Sequence, residues 1–345
     1  MENNRSLPPF PNSWFVIGFS DELRPGGLLR RRLAGQDLVV FRTESGVPGA
    51  MDAYCPHLGA DFSYGGKVVG ETIRCPFHGF CFNREGTCVA TGYGTKPPPT
   101  AQVRTWPFSE QNGLLMVYYH GGDAAPTWEV PAFDVAGWGP PLTRCFYLKT
   151  HPQETTENGV DIGHLAWVHG YQDVEVLKSY EMDGPRLVVR YAMSRSANAL
   201  GKVGQRLRAE FTISVHGLGL SVVEVDVPAF GMRTRHFVCA TPVDAGRLDM
   251  RVVMRLREVS HPAKINPALT FVPRSLVNSL IARLTFNGFL HDLQQDFPMW
   301  EHKQYIQPPL LAKGDGPIGK FRTWTRQFYS QPVPMLEREP VHMEV

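Results

Sequence analysis

The stretch "YCPHLGADFSYGGKVVGETIRCPFHGF", residues 54–80, places one cysteine and one histidine in each of two short turns. Cys55 and His57 stand in C-x-H spacing, Cys75 and His78 in C-x-x-H, and seventeen residues separate the pairs. Four soft or borderline ligands so arranged suit zinc or an iron–sulfur cluster. In a zinc finger with two cysteines and two histidines, the cysteines come together first and the histidines follow. Here each turn offers one of each, so two facing loops can give a two-iron cluster both thiolates on one iron and both imidazoles on the other. Pro56 and Pro76 stiffen the turns, and Gly59 and Gly79 let backbone amides approach bridging sulfides.

Outward from this stretch, the chain up to about residue 120 is a series of short β-rich runs between Gly, Pro and Asn turns, among them "SWFVIGF", "DLVVFRT" and "GLLMVYYH". A Pro- and Gly-rich passage, "GGDAAPTWEVPAFDVAGWGPP", then has the character of a linker. The expected division is an all-β domain over residues 1–125 and a second domain over 126–345. In the second, residues 154–169 read as helix, residues 186–256 as long alternating strands of an antiparallel sheet, and residues 273–301 as helix again. Leu276, Leu280 and Leu284 recur at i, i+4 and form the expected buried stripe of that last helix. Helices plus one antiparallel sheet make the second domain α+β.

Composition narrows the function. With 35 Lys+Arg against 33 Asp+Glu, a net charge of +2 gives no electrostatic reason to expect nucleic acid or an anionic membrane surface. No apolar run approaches the roughly 20 residues needed to span a bilayer, so a soluble cytoplasmic protein is expected. Of six cysteines, two lie in the metal pattern, and Cys81 and Cys88 are expected as reduced thiols rather than a disulfide. No G-x-G-x-x-G or phosphate-loop pattern occurs, so reducing equivalents must arrive from another protein.

A second metal site is expected in "ETTENGVDIGHLAWVHG", where Glu157, Asn158, Asp161, His164 and His169 cluster. At about 100° per residue, His164 and His169 lie roughly 140° apart on a regular helix. Both can reach one ion only if the helix widens or ends there, as at a π-bulge. Two histidines plus one carboxylate is the facial triad of a non-haem Fe(II) oxygenase. Asp292, Asp296 and Glu301 are candidates for the carboxylate. Asp161, one turn before His164, can accept an imidazole proton and orient that ligand.

The first pattern resembles that of Rieske proteins position for position. Ala60 and Phe77 stand where respiratory Rieske proteins carry an extra cysteine pair, which points to the ferredoxin and oxygenase branch. The pattern D-x-x-H-x-x-x-x-H at Asp161, His164 and His169 resembles the catalytic domain of Rieske non-haem iron oxygenases. That resemblance implies a helix-grip, START-like catalytic domain and places the third ligand in "QDFPMW", hence Asp296 rather than Asp292. It also implies an Asn158 near the open iron face and an Asp161 that links the mononuclear site to a Rieske histidine of a neighbouring subunit. A head-to-tail homotrimer follows from that link.

The implied cofactors are a Rieske 2Fe–2S cluster and a mononuclear Fe(II), with O2 as co-substrate and an external NAD(P)H-dependent reductase, with or without a ferredoxin, as partner. The cluster stretch together with "DFPMWEHKQYIQPPLLAKGDGPIGKFRTWTRQFY" resembles the 3-ketosteroid 9α-hydroxylase and cholesterol 7-desaturase group. Hydroxylation or desaturation of a hydrophobic, steroid-like substrate is the implied reaction. Competing expectations are an arene dioxygenase or oxidative demethylase and, from another class, an electron carrier with a ligand- or partner-binding domain. Val223, Val225, Phe230, Phe237, Leu280, Leu284 and Phe289 are candidates for a cavity lining or for plain core. The run Arg30–Arg32 can dock an acidic reductase or edge a strand.

Overall fold

The computed structural model describes residues 7–196 and 206–330. The N-terminal part forms ten short strands: β1 (Ser13–Phe19), β2 (Leu28–Leu33), β3 (Gln36–Arg42), β4 (Pro48–Asp52), β5 (Lys67–Val69), β6 (Thr72–Arg74), β7 (Cys81–Asn83), β8 (Cys88–Ala90), β9 (Phe108–Gln111) and β10 (Leu114–Tyr119). They pair into three antiparallel sheets, ordered β1-β10-β9, β2-β3-β4 and β5-β6-β7-β8. The last is a small meander that carries the second metal turn between β6 and β7. Under both turns lies a core of Val39, Phe41, Met51, Phe62, Ile73 and Phe82, each fully buried. Such a rigid floor fixes the turns above it.

The C-terminal part is one seven-stranded antiparallel sheet. Its strands are β11 (Leu142–Leu148), β12 (Gln172–Asp183), β13 (Arg186–Ser196), β14 (Arg206–His216), β15 (Leu220–Val227), β16 (Met232–Asp244) and β17 (Arg247–Leu256), in the order β11-β17-β16-β15-β14-β13-β12. Two of these, β11 and β12, were not expected from the sequence, and both are edges of the sheet. β12 reads "QDVEVLKSYEMD", mostly exposed and charged, as an edge that must not pair with another chain tends to be. Its buried alternation is too weak to signal a strand.

Period-2 alternation gives the sheet two different faces. Leu220, Val222, Phe237 and Cys239 pack with Trp14, Val16, Leu114 and Met116 of β1 and β10, so one face is buried against the N-terminal part. The intervening residues of β14 to β16 point the other way, towards a long helix. The described residues also form five α-helices: α1 (Pro152–Glu157), α2 (Gly163–Trp167), α3 (Pro262–Ile265), α4 (Arg274–His302) and α5 (Ile318–Thr325).

α4 crosses the free face of the sheet. Phe286, Leu290, Leu293 and Trp300 pack on Leu248, Met250, Val252 and Met254 of β17, while Val277 and Ile281 pack with Val227, Phe230, Met232 and Leu256. The leucine stripe expected to be buried is therefore not the packed one: Leu276 and Leu280 are turned outward, 61% and 53% exposed, and Leu284, 43% exposed, borders the space between helix and sheet. Val277 and Ile281 repeat with the same i, i+4 period one residue later, and packing on the sheet selects them. No helix among the described residues is long and apolar enough to cross a membrane.

Candidate functional site

The two metal turns are built alike. In the first, Gly59 N–H donates to the Cys55 carbonyl at 2.8 Å and Cys55 N–H to the Ala60 carbonyl at 2.8 Å. In the second, Gly79 N–H donates to the Cys75 carbonyl at 3.2 Å and Cys75 N–H to the Phe80 carbonyl at 2.8 Å. Gly59 and Gly79 take φ of +78° and +69°, which closes each turn without the strain a side chain would bring. Cys55 and Cys75 are buried beneath the turns, whereas His57 and His78 are half-buried at the outer edge with ring centroids 4.7 Å apart. The His57 ring lies flat on Phe80, 4.3 Å away, and is held in place by it.

The chemistry of this donor set fits a cluster. Burial, with Cys75 close by, pushes the Cys55 thiol up to about 12, so an ionised thiolate here requires compensating positive charge such as iron. His78 Nδ1 is buried with no partner in the protein, as a ligand atom would be. All six cysteines are free; Cys81 and Cys88 donate to the Gly79 and Ala90 carbonyls. The basic run is occupied within the chain. Arg30 pairs with Asp37 and Asp61, Arg31 with Glu22, and Arg32 with Asp37 and with Asp244 of β16.

The helix expected over residues 154–169 is broken into α1 and α2 by the turn at 158–162, and α2 ends at Trp167, before His169. The 140° conflict is resolved by ending the helix, with no π-bulge. Several contacts hold this broken segment. Arg322 of α5 makes two bonds to Glu157, at 2.6 and 2.8 Å, and Lys303 pairs with Glu154. Tyr329 donates to Gln153 at 2.9 Å. Gly316, at φ +87°, passes so close beneath the break that a Cβ would lie 2.2 Å from the Val160 carbonyl.

The result is a compact triad. Ligand atoms of His164, His169 and Asp296 all lie within 4.8 Å of one another, with His169 Nε2 3.5 Å from Asp296 Oδ1. Asp296 comes from the last third of α4, and its side chain is 9% exposed. A carboxylate so buried needs a cation. Burial lowers the His169 pKa, yet bonds and charge from Asp296, with Gln295, more than offset it, and the net shift is upward from 6.5. The pocket therefore favours positive charge at the point where an ion would sit.

Each imidazole is aimed by a bond at its other nitrogen. His164 Nδ1 is 2.6 Å from the backbone carbonyl of Asp161, while the Asp161 carboxylate is 3.9 Å from it. The orienting group is thus the Asp161 main chain, and its side chain accepts the His164 N–H at 3.3 Å. His169 Nδ1 is 3.0 Å from Gln295 Oε1. Sequence reading missed Gln295; standing next to Asp296 on α4, it gives no pattern of its own. Gln295→Leu is expected to weaken iron binding by roughly 10–100-fold, read by chelator competition, because the His169 ring loses its orienting partner.

The other carboxylates considered are engaged elsewhere. Asp292 is clamped by Arg195 Nη1 at 2.6 and 2.7 Å and accepts from Tyr171 at 3.2 Å. Glu301 accepts the Lys149 N–H at 3.1 Å. Asn158 accepts from the Trp300 indole at 3.2 Å and borders the same space as the triad.

That space is a cavity of about 550 Å³ between the sheet and α4, with the triad in its wall. Of the seven apolar candidates, Val223, Val225, Phe230, Leu284 and Phe289 line it. Phe237 faces the N-terminal part instead, and Leu280 is exposed.

With this geometry established, the chain was compared with known proteins. Residues 13–107 match the family described as the Rieske [2Fe-2S] domain, and residues 117–329 that described as the 3-ketosteroid 9alpha-hydroxylase C-terminal domain. The cholesterol 7-desaturase nvd of Xenopus laevis is 32% identical over 96% of this chain and 74% of that one. The oxygenase component of 3-ketosteroid-9-alpha-monooxygenase from Rhodococcus rhodochrous is 27% identical over 93% and 84%. Among solved structures, NdmA of Pseudomonas putida CBB5 aligns with a TM-score of 0.67 at 18% identity, covering 91% of this chain and 89% of that one. Dicamba monooxygenase bound to dicamba aligns at 0.65 and 17%, covering 93% and 98%. A Rieske-type N-terminal part, a helix laid across an antiparallel sheet and a His–His–Asp cluster under that helix agree with these matches, and the chain belongs to the Rieske non-haem iron oxygenases, in the group of the 3-ketosteroid 9α-hydroxylase oxygenase components and cholesterol 7-desaturases.

Proposed function

We propose that this oxygenase hydroxylates or desaturates a hydrophobic, polycyclic, steroid-like substrate. Cys55, His57, Cys75 and His78 hold its 2Fe–2S cluster, and His164, His169 and Asp296 hold its mononuclear Fe(II). When bound, these groups supply electron storage and the reductive activation of O2. The single observation that carries the reading is the position of the triad: its three ligand atoms lie within 4.8 Å at the wall of a cavity whose lining is mainly apolar.

The chain's own residues do the remaining work. The Asp161 carbonyl and the Gln295 amide set both imidazoles with Nε2 inward. Asn158, fixed by the Trp300 indole, stands beside the triad and limits how a substrate approaches. Val223, Val225, Phe211 and Phe289 exclude water and take up a rigid apolar body. Strands β13 to β16 and helix α4 supply most of this wall.

The residue ranges 1–125 and 126–345 remain our proposed domain division. Electrons come from a separate NAD(P)H-dependent reductase, directly or through a ferredoxin, in the cytoplasm. We further propose a head-to-tail trimer. Leu58 and Phe77, 65% and 62% exposed, flank the imidazole edge of the first site, and Trp167, 92% exposed, stands on α2 beside the second. Exposed apolar side chains on two unlike surfaces suit a heterologous contact, which forms a ring when its rotation closes.

The test is anaerobic reduction of the iron-loaded protein followed by single exposure to O2 with a panel of steroids and arenes, products being weighed by mass spectrometry. A steroid gaining one oxygen atom or losing two hydrogens is expected, with about three irons per chain. Turnover of arenes alone would refute the substrate class, and a fully competent protein with about two irons per chain would identify an electron carrier.

A further inference from the structure

The sheet β5-β6-β7-β8, which carries the second cluster turn, has a charge pattern that its own fold does not answer. Lys67 of β5 and Arg74 of β6 are direct cross-strand partners, so their side chains leave the sheet on the same face, and both are exposed. Like charges set directly opposite each other destabilise a strand pair. Among the described residues neither cation has an ion pair or a side-chain hydrogen bond. Carboxylates stand nearby but are engaged: Glu71, between the two strands, bonds Ser45, and Glu85, between β7 and β8, lies beside Arg84. In the run Arg30–Arg32, by contrast, an acid of the same chain meets every guanidinium.

The pair sits against the first metal site. Arg74 directly precedes Cys75, with about 3.8 Å between their Cα atoms. Lys67, Arg74, Cys75, Pro76 and Gly79 border one open cleft, and neither His57 nor His78 lines it. The second turn thus has two approaches. On one side the imidazoles stand beside the exposed Leu58 and Phe77; on the other, two cations flank the way to Cys75. An apolar edge suits a permanently packed neighbour, whereas a charged edge suits a partner that comes and goes.

We propose that Lys67 and Arg74 form the docking site for the protein that supplies electrons, an acidic one-electron carrier whose carboxylates meet both cations. This inference rests on the reading of the reductant as a separate protein, and adds where that protein binds and what charge it carries. On docking, the carrier gives up one electron and one ferric iron of the cluster becomes ferrous; no bond forms or breaks. Carboxylates brought to the pair cancel the repulsion that the free protein carries, and the field of the pair steers an acidic surface to this cleft before contact. Electrons then enter on the Cys75 side and leave on the imidazole side, so donor and acceptor do not compete for one face.

Electron transfer and binding test this without turnover. The iron-loaded protein, oxidised and anaerobic, is mixed with a reduced plant-type 2Fe–2S ferredoxin, an acidic carrier whose potential lies below that of a Rieske centre, and reduction of the cluster is followed by stopped-flow absorption. Parent, Lys67→Glu and Arg74→Glu are compared with Lys264→Glu, which makes the same change of charge at an exposed residue of α3. At low salt each of the first two variants is expected to be reduced about tenfold more slowly than the parent and the control, and the gap to close near 1 M salt, where the screening length is about 3 Å. Calorimetric titration with the oxidised ferredoxin is expected to give the same order of affinities. Lys67→Glu is also expected to keep or raise the unfolding temperature, because it sets an opposite charge against Arg74, whereas loss of a lysine that served the fold would lower it. Light with neutral deazariboflavin, which needs no docking, is expected to reduce all four proteins alike. Equal ferredoxin rates in all four, or equal slowing in Lys264→Glu, overturn the docking site. A parent protein that deazariboflavin reduces and ferredoxin does not overturns the site while leaving the redox reading intact, and a parent that neither reduces overturns both.

Discussion

Asp296→Ala is expected to take the iron content from about three to about two per chain while leaving the visible absorption of the cluster unchanged. Turnover should fall by more than the roughly 10–100-fold that losing a ligand's hydrogen-bond partner costs, because here the ligand itself goes. The cause is electrostatic. Asp296 is the only carboxylate within the 4.8 Å cluster among the described residues, and without it the two imidazoles bring no negative charge to a divalent ion. Asp292→Ala is the control and should retain all of its iron, since its carboxylate is already closed off by Arg195 and Tyr171. Loss of iron from the control with retention in Asp296→Ala would reverse the assignment.

The second large effect is expected at Asp161. Its main-chain carbonyl aims His164 and one carboxylate oxygen accepts the His164 N–H, yet the side chain remains 31% exposed with an open edge. Asp161→Asn keeps an acceptor for the N–H and the same backbone, so both metal groups should remain. If the carboxylate joins this site to a histidine of the next subunit, the reduced variant mixed with O2 and substrate should oxidise its cluster about a hundredfold more slowly, in line with other losses beside a metal ligand. Stopped-flow absorption reads this directly. Oxidation at the parent rate would remove Asp161 from the electron route.

How much of this was legible in the sequence varied with the physics behind each feature. The cluster turns were fully legible, because cysteine and histidine at fixed short spacing carry their chemistry with them and the positive-φ glycines are local requirements. The pair His164 and His169 was legible as a pair but not in its geometry, since the break at 158–162 is imposed by contacts with α5 and with the loop at Gly316, far away in the chain. The leucines of α4 misled for a related reason. Two i, i+4 stripes one residue apart satisfy the same periodicity, and only the partner sheet decides between them.

The two-faced sheet carries a practical corollary. Along β15 and β16, residue parity sorts the chain into two design alphabets: Ser221, Val223, Val225, Thr234, His236 and Val238 border the cavity, whereas Leu220, Val222, Phe237 and Cys239 knit the two halves of the molecule together. A directed-evolution library confined to the first set can reshape substrate choice without touching the seam. Random mutagenesis across the same strands would instead strike both, and many of its losses of activity would be failures of assembly mistaken for failures of recognition.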